Sequence, residues 1–474
     1  MLVPLSALSL LGCAAAAASG GQPAAAHAAA AAALGAEPAA DGPSQFATIY
    51  SGWRPHTVDN CSLAAAPAGV TVGRTVELMS ASESLEDSGH AYAFANGDIQ
   101  VLVRRAANES HAIRSSDRGE TWRPVAKQPP PYQNRSVSEV RPYAVTLKSG
   151  DVVWFSGFSA ATRNCANDGQ DFTRTADGSI SAELMRSTDN GLSQTSHQAR
   201  IELPAALQLR NLQHAPMVEL TDGSLLVATY AHWNGIDGFA SNKGEDMNLA
   251  KDRTFVMKST DHGASWTYLS TVAFDPTNTT RACVLSTEDI NPPCAAFEGF
   301  NEPWLSSLPN GHLICIMRSL GSEALLPHPD FVSGPMYRSV SADGGKTWGI
   351  PQMFTDRGVA PTAAITRGGT FVLGFGRPAN WLGFSHDGGV SLDATWCYAA
   401  TVSRYDGSEY NSLIRLPAAP DSSEDEMMTV YYNGSVTATF FTLKTDDDSV
   451  LYCTLTCSCC VGGHHEYLPR KCEY

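Results

Sequence analysis

The chain has 474 residues, 43% of them hydrophobic, and a formal net charge of −16. That length holds one large repeat domain or two to three ordinary ones, and an acid excess without clustered Lys and Arg excludes nucleic acid and anionic membrane surfaces as partners. An anionic small molecule stays open as a ligand, provided a few arginines converge in one pocket.

Residues 1–26 contain LVPLSALSLLGCAAAAASG from Leu2, a short apolar stretch followed by small residues, the pattern of a secretory signal. Cys13, at the end of LLGC, admits a second reading as a lipidated cysteine, though no Lys or Arg precedes it. The Ala-rich run over 27–44 holds too little Leu, Ile or Phe for a membrane span and reads as a linker.

From Gly89 onward one pattern recurs. GHAYAFANGDIQVLVRR, RPYAVTLKSGDVVWFSGF, APMVELTDGSLLVATYAHW, EPWLSSLPNGHLICIMRS and APTAAITRGGTFVLGFGRP each read as an alternating strand, a hairpin turn at Gly97, Gly150, Gly223, Gly311 or Gly369, and a second apolar strand. Each is followed by all or part of the frame SxDxGxTW: IRSSDRGETW, MRSTDNGLSQ, MKSTDHGASW, YRSVSADGGKTW and FSHDGGVSL. In that frame Asp117, Asp189, Asp261, Asp343 and Asp387 accept hydrogen bonds from amides just ahead, and glycine takes the left-handed conformation that other residues resist. Trp122, Trp266 and Trp348 then cover apolar surface between neighbouring sheets. These aspartates read as fasteners, without a part in chemistry.

YNSLIRLPAAPDSSEDEMMTVYYN, from Tyr410 to Asn433, supplies a sixth strand pair without the fastener. Five complete units and one incomplete unit predict a ring whose missing strand comes from the segment around RTVELMS, leaving no long open sheet edge. The expected fold is all-β, a six-bladed β-propeller over residues 45–452.

A propeller brings equivalent positions of different blades to one mouth of its channel. Arg104 and Arg318 lie seven residues after their hairpin glycines and Arg377 eight, each closing an otherwise apolar strand. Converging guanidinium forks suit a carboxylate, which accepts two parallel hydrogen bonds from each. The plainer alternative is that each arginine pairs with a surface acid or lays its stem along the strand end. Counting backward from the turns, Glu302 and Arg141 share a slot before a proline, which Glu409 and Tyr410 occupy in the sixth unit.

The SxDxGxTW frame resembles the Asp-box of the sialidase superfamily, over most of Ala91 to Tyr432. NEPWLSSLPNGHLICIMRS resembles the sialidase segment joining the glutamate partner of the nucleophile to an arginine of the carboxylate-binding triad, which implies those roles for Glu302 and Arg318. LGFGRP resembles the stretch of another triad arginine, here Arg377, and EYNSLIRL the stretch of the nucleophilic tyrosine, here Tyr410. A sialic acid bears a carboxylate on its anomeric carbon, so a neutral phenol can approach where an Asp or Glu nucleophile is repelled, while a glutamate withdraws the phenolic proton. The resemblance implies hydrolysis of terminal sialic acid or a related nonulosonic acid on sialylated or other acidic glycans, without metal or cofactor.

Blade one departs from the pattern. The family begins it with an arginine in an RIP motif, but the corresponding slot, Asp87 to Gly89 in LEDSGHAY, has none, and the nearest upstream arginine is Arg74. The family's acid/base aspartate lies in the loop after the second strand, here RRAANESHAIRSS, whose only carboxylate is Glu109. Two function classes follow: an exo-glycosidase with a substituted acid/base, and a non-hydrolytic propeller that binds acidic glycans. A lyase or a hydrolase for another uronic-type sugar is a third. The pairing of Glu302 with Tyr410 favours the enzyme, because binding alone has no use for it.

Twelve cysteines fit an oxidising compartment, and sequons at Asn60, Asn108, Asn134, Asn278 and Asn433 fit a secreted glycoprotein. Loss of Cys13 with the signal leaves eleven of the twelve, so one thiol is free or intermolecular. Cys283 and Cys294 bracket VLSTEDINPP as an expected local bridge. The tail 453–474 sets Cys453, Cys457, Cys459, Cys460 and Cys472 beside His464 and His465, in a spacing that matches no zinc pattern and points to disulfides or an unordered end.

Overall fold

The computed structural model describes Cys61 and, in segments, residues 65–80, 82, 89–104, 110–125, 143–155, 174–205, 207–209, 212, 215–233, 252–274, 299–319, 335–377, 379–400, 410–418 and 422–444. Residues 1–44, the Cys283–Cys294 loop, the tail 453–474 and the sequons at Asn60, Asn108, Asn134 and Asn278 lie outside the described residues.

Strand β1 (Val70–Met79) precedes six blades. Blade one holds β2 (His90–Ala93), β3 (Ile99–Arg104), β4 (Ser110–Ser115) and β5 (Arg123–Pro124). Blade two holds β6 (Val145–Thr146), β7 (Val152–Phe155), β8 (Ile180–Ser187) and β9 (Thr195–Glu202). Blade three has β10 (Leu207–Leu209) and β11 (Val218–Glu219), both pairing with β12 (Leu225–Trp233), then β13 (Arg253–Ser259) and β14 (Ser265–Ala273). Blade four is β15 (Asn301–Ser307), β16 (Leu313–Arg318), β17 (Met336–Ser341) and β18 (Gln352–Thr355). Blade five is β19 (Val359–Ile365), β20 (Phe371–Gly376), β21 (Asn380–Ser385) and β22 (Ala394–Ala399). Blade six has β23 (Asn411–Arg415), β24 (Glu424–Tyr432) and β25 (Val436–Lys444), and β1 completes it by pairing antiparallel with β25. The ring is a six-bladed β-propeller, closed by the RTVELMS strand.

One junction differs from six separate four-stranded units. Blades two and three join into a single sheet, because β14 runs parallel to β9 with Ser265, Trp266 and Thr267 opposite Arg200, Ile201 and Glu202. The third fastener sits against blade two and carries the start of β14 to the outer edge of that blade, where the Arg200 N–H donates to Ala264 O at 2.9 Å.

The core lies between blades rather than inside them. Middle strands such as β16 are buried on both faces, which is why LICIM reads as a continuous apolar run, whereas the outer strand β9 buries only Ala199 and Ile201. Ile314, Ile316, Phe371, Leu373 and Phe375 fill the space between blades four and five. Each fully buried phenylalanine there contributes about 1.5–3 kcal/mol.

The fasteners fix the spacing of those layers. In the box of blade three the Ser259 hydroxyl donates to Asp261 Oδ1 at 2.8 Å and accepts the Gly263 N–H at 2.9 Å, while the Ser265 N–H donates to the same Asp261 Oδ1 at 2.8 Å. The same set recurs around Asp117, Asp189, Asp343 and Asp387. Each box glycine is pressed on the preceding blade: a methyl group would overlap Phe440 at Gly119, Phe94 at Gly191, Leu184 at Gly263 and Ile314 at Gly389. Trp266 is fully buried and donates to Gly263 O at 3.0 Å, while Trp348 reaches across to Ser270 Oγ of blade three at 3.1 Å.

Asp261→Ala should therefore lower stability by about 1–3 kcal/mol, read by denaturant unfolding, without changing the kinetics of the folded fraction. A turnover defect at unchanged stability would contradict the fastener role. Hydrogen bonds led by the Thr121 hydroxyl hold Asp117 down at about 2, and bonds led by the Ser193 hydroxyl do the same for Asp189, also about 2. Both folded values lie below the unfolded one, so this stabilisation is complete above about pH 4 and is lost as pH falls through about 2. Melting temperature measured down that range should drop, with net proton uptake on unfolding.

The interface between blades five and six has no box among the described residues. There the Arg367 N–H donates to Asp425 Oδ2 at 2.7 Å, its Nε to Oδ1 at 3.0 Å, and Nη2 to Ser422 O and Glu424 O, each at 2.9 Å. A disulfide between Cys61 and Cys397, with Cα atoms 5.5 Å apart, ties the segment before β1 to β22. Cys315 is a free thiol buried in β16, and burial raises its pKa, which keeps it inert. Asn433 stands exposed in the turn between β24 and β25.

Candidate active site

Antiparallel pairing puts the starts of β15, β19 and β23 and the ends of β16 and β20 at one mouth of the channel. The boxes, which follow the third strand of each blade, lie at the other. At the site mouth the backbone is strained. Glu302 (φ 40°) and Ala360 (φ 47°) sit in register shifts at the starts of β15 and β19, and Arg377 (φ 55°) and Ala379 (φ 65°) follow β20. A left-handed conformation costs a non-glycine residue on the order of 1–3 kcal/mol, and such strain collects where side-chain aim matters.

Four side chains converge there, two of them, Glu302 and Arg377, from strained positions. Tyr410 Oη donates to Glu302 Oε1 at 2.9 Å. Arg318 Nη1 donates to the same Oε1 at 2.7 Å and lies 3.4 Å from Tyr410 Oη. The Ala360 N–H donates to Glu302 Oε2 at 3.2 Å, so both carboxylate oxygens are held. Arg377 Cζ stands 5.4 Å from the centroid of the Tyr410 ring, within cation–π range. Glu302, Arg318 and Tyr410 are 9%, 8% and 9% exposed, so this ion pair and phenol are screened little by solvent. A phenol that gives a hydrogen bond to a carboxylate and receives one from a guanidinium is set to lose its proton toward Glu302 as its oxygen bonds elsewhere.

Two residues deeper, His90, Tyr143, Pro216, Trp304, Thr362 and Ser412 occupy equivalent positions of the six blades and line a cavity of about 280 Å³ that reaches Tyr410. The rings of His90, Tyr143 and Trp304 meet edge to face, with centroids 5.8 and 6.0 Å apart. No group of three or more His, Cys, Asp or Glu side chains able to hold a metal ion occurs among the described residues.

Of the residues singled out by sequence, Tyr410, Glu302, Arg318 and Arg377 converge. Arg74 does not: it sits with the first box at the opposite mouth, hydrogen-bonded to Arg118 O, 3.3 Å from Glu120, 3.7 Å from Glu426 and stacked 3.8 Å over Phe440. The reason is register, since β1 is the outermost strand of blade six and has no access to the channel. Arg104 ends β3 in the backbone position equivalent to Arg318, but its side chain lies outside the described residues, as do Arg141, Asp87 and Glu109. Sequence reading missed two buried asparagines that flank the cluster. Asn301 precedes Glu302, and its Nδ2 donates to Asp252 Oδ2 of the neighbouring blade at 3.1 Å. Asn411 follows Tyr410. Its one visible signal is that it stands where other units carry Pro142, Pro303 and Pro361.

Among described residues no helix is long and apolar enough to cross a membrane. No curated protein matches the sequence. Among solved structures, a protein of unknown function from Dyadobacter fermentans is 16% identical with a TM-score of 0.52, over 80% of this chain and 100% of that one. The Penicillium chrysogenum α-L-arabinanase complexed with arabinobiose is 14% identical with a TM-score of 0.50, over 80% and 99%. The Trypanosoma rangeli sialidase in complex with the inhibitor DANA is 15% identical with a TM-score of 0.43, over 80% and 60%. Residues 167–416, more than half of the chain, match the BNR repeat-like domain family. With that match and its ring of box-fastened blades, the chain belongs to the BNR repeat-like family and has a six-bladed β-propeller fold.

Proposed function

We propose that this chain is an exo-glycosidase of sialidase type that releases terminal sialic acid or a related nonulosonic acid from glycoconjugates. The observation that carries the reading is the hydrogen-bonded triangle of Tyr410 Oη, Glu302 Oε1 and Arg318 Nη1, with sides of 2.9, 2.7 and 3.4 Å. Tyr410 attacks the anomeric carbon and forms a carbon–oxygen bond as the glycosidic bond breaks. The phenolic proton passes to Glu302, and the departing oxygen takes a proton from an acid, for which Glu109 is the candidate. Water then attacks the anomeric carbon, giving one proton to the carboxylate that had served as acid, and the tyrosyl carbon–oxygen bond breaks as Glu302 returns its proton to the phenol. Arg318 and Arg377 flank the phenol and supply the charge that holds the sugar carboxylate.

One observation favours a second reading, in which the propeller binds acidic glycans without cleaving them. His90 is in register with Trp304, so Ser88 stands in the slot of Glu302, and blade one offers no arginine there. Export to an oxidising compartment belongs to the same proposal, and the Cys61–Cys397 bridge supports it. The test is release of free sugar from aryl and oligosaccharide sialosides by the intact, secreted chain at about pH 4 to 7, where a carboxylic proton donor is partly protonated. Binding of an unsaturated sialic acid analogue without release of sugar from any of these would leave the binding propeller and end the hydrolase reading.

A further inference from the structure

We propose that Asn411 is a positioning residue for Tyr410, pinning the start of β23 to the end of β20 and so fixing the phenol relative to both Glu302 and Arg377. The inference rests on the reading of Tyr410 as nucleophile.

Tyr410 stands one residue outside its own sheet, since the first ladder pair of β23 is Asn411 with Tyr431. The chain therefore needs a fixing point immediately after the phenol, and the Asn411 side chain provides one. It is 2% exposed. Its Nδ2 donates to Phe375 O at 3.0 Å, and its Oδ1 accepts from Thr362 Oγ1 at 2.9 Å. Both partners belong to blade five, and Phe375 lies two residues before Arg377. A single amide thus couples the residue after the phenol to the strand that presents the guanidinium stacked on it.

Three further features agree. Room for the amide exists because residue 374 is glycine: a Cβ there would lie 2.5 Å from Asn411 Oδ1 and 2.6 Å from Thr362 Oγ1. Blades four and five carry Pro303 and Pro361 in this slot, and a proline has no side-chain donor or acceptor. The next residue, Ser412, accepts the Ala91 N–H of blade one through Oγ at 2.9 Å, so the start of β23 is tied to both neighbouring blades. The tie to blade five matters most, because that interface has no box among the described residues.

Displacement of a reacting group by about 1 Å costs on the order of 100-fold in rate. Asn411→Ala should lower kcat for a methylumbelliferyl sialoside by about tenfold or more while KM stays within about twofold, since the arginines that hold the carboxylate are untouched. A crystal structure of the variant should show the Tyr410 Oη to Glu302 Oε1 separation opened from 2.9 Å to beyond about 3.5 Å. Thr362→Val removes only one of the two bonds; it should shift the phenol less, in the same sense, and serves if Asn411→Ala does not fold. A phenol that keeps its place in the variant overturns the proposal, even if the melting temperature falls. If the wild type releases no sugar, the sialidase reading fails on its own, and the crystal structure alone decides: a displaced phenol sustains the positioning role and an undisplaced one ends it.

Discussion

Tyr410→Phe is expected to cut release of a fluorogenic sialoside by about 100-fold or more while sparing binding of an unsaturated sialic acid analogue. The substitution removes one oxygen, and in the proposed reaction that oxygen forms the bond to the anomeric carbon. A 100-fold loss corresponds to about 2.7 kcal/mol of transition-state stabilisation, more than the roughly 0.5–1.5 kcal/mol of one ordinary hydrogen bond. The fold should survive, because Glu302 keeps its bonds from Arg318 and the Ala360 N–H. If the phenol only binds, the variant weakens analogue binding by no more than that one hydrogen bond, and the wild type shows no turnover to lose.

Arg318→Lys is the second large effect, and its readout is affinity. Lysine keeps the charge but loses the planar fork, so binding of the analogue should fall at least about tenfold with the fold preserved. The guanidinium is paired with Glu302 at 2.7 Å, and a lysine reaching that carboxylate would have no second nitrogen to give a sugar carboxylate. Unchanged affinity by calorimetry would move the carboxylate site away from Arg318.

Much of this architecture is legible in the sequence because it is local. A hairpin glycine, an apolar strand and a Ser–Asp–Gly turn repeat in five units, and a bare strand pair marks the sixth, so periodicity gives the blades and their order. The same offsets bring Glu302, Arg318, Arg377 and Tyr410 to one mouth, since register converts equal distances from a turn into equal heights along the channel. What is not legible depends on partners far apart in the chain. Cys61 and Cys397 are separated by 336 residues, and neither lies in a motif. Asn411 reads as one more polar residue in a strand until Phe375 and Thr362 are brought beside it. Asn301 and Asp252 meet only across a blade boundary. Arg74 lies in RTVELMS, the segment that sequence already assigns to close the sixth unit, and it stays out of the site because that strand is the outermost of blade six.

The position of β1 sets an order of assembly. It is synthesised before every blade, yet its partner β25 is the last strand among the described residues, so it must wait while the whole ring is built. Its contact pairs Val70 with Leu443, and long-range pairings of this kind form late and slowly. Blade six also brings Tyr410, whereas Glu302, Arg318 and Arg377 belong to blades already complete. An unfinished ring therefore holds the arginines but has no nucleophile beside them, and on the proposed reading a nascent chain could grip an acidic sugar before it could cleave one. On that reading the nucleophile comes with β23, the strand of blade six that lies against blade five.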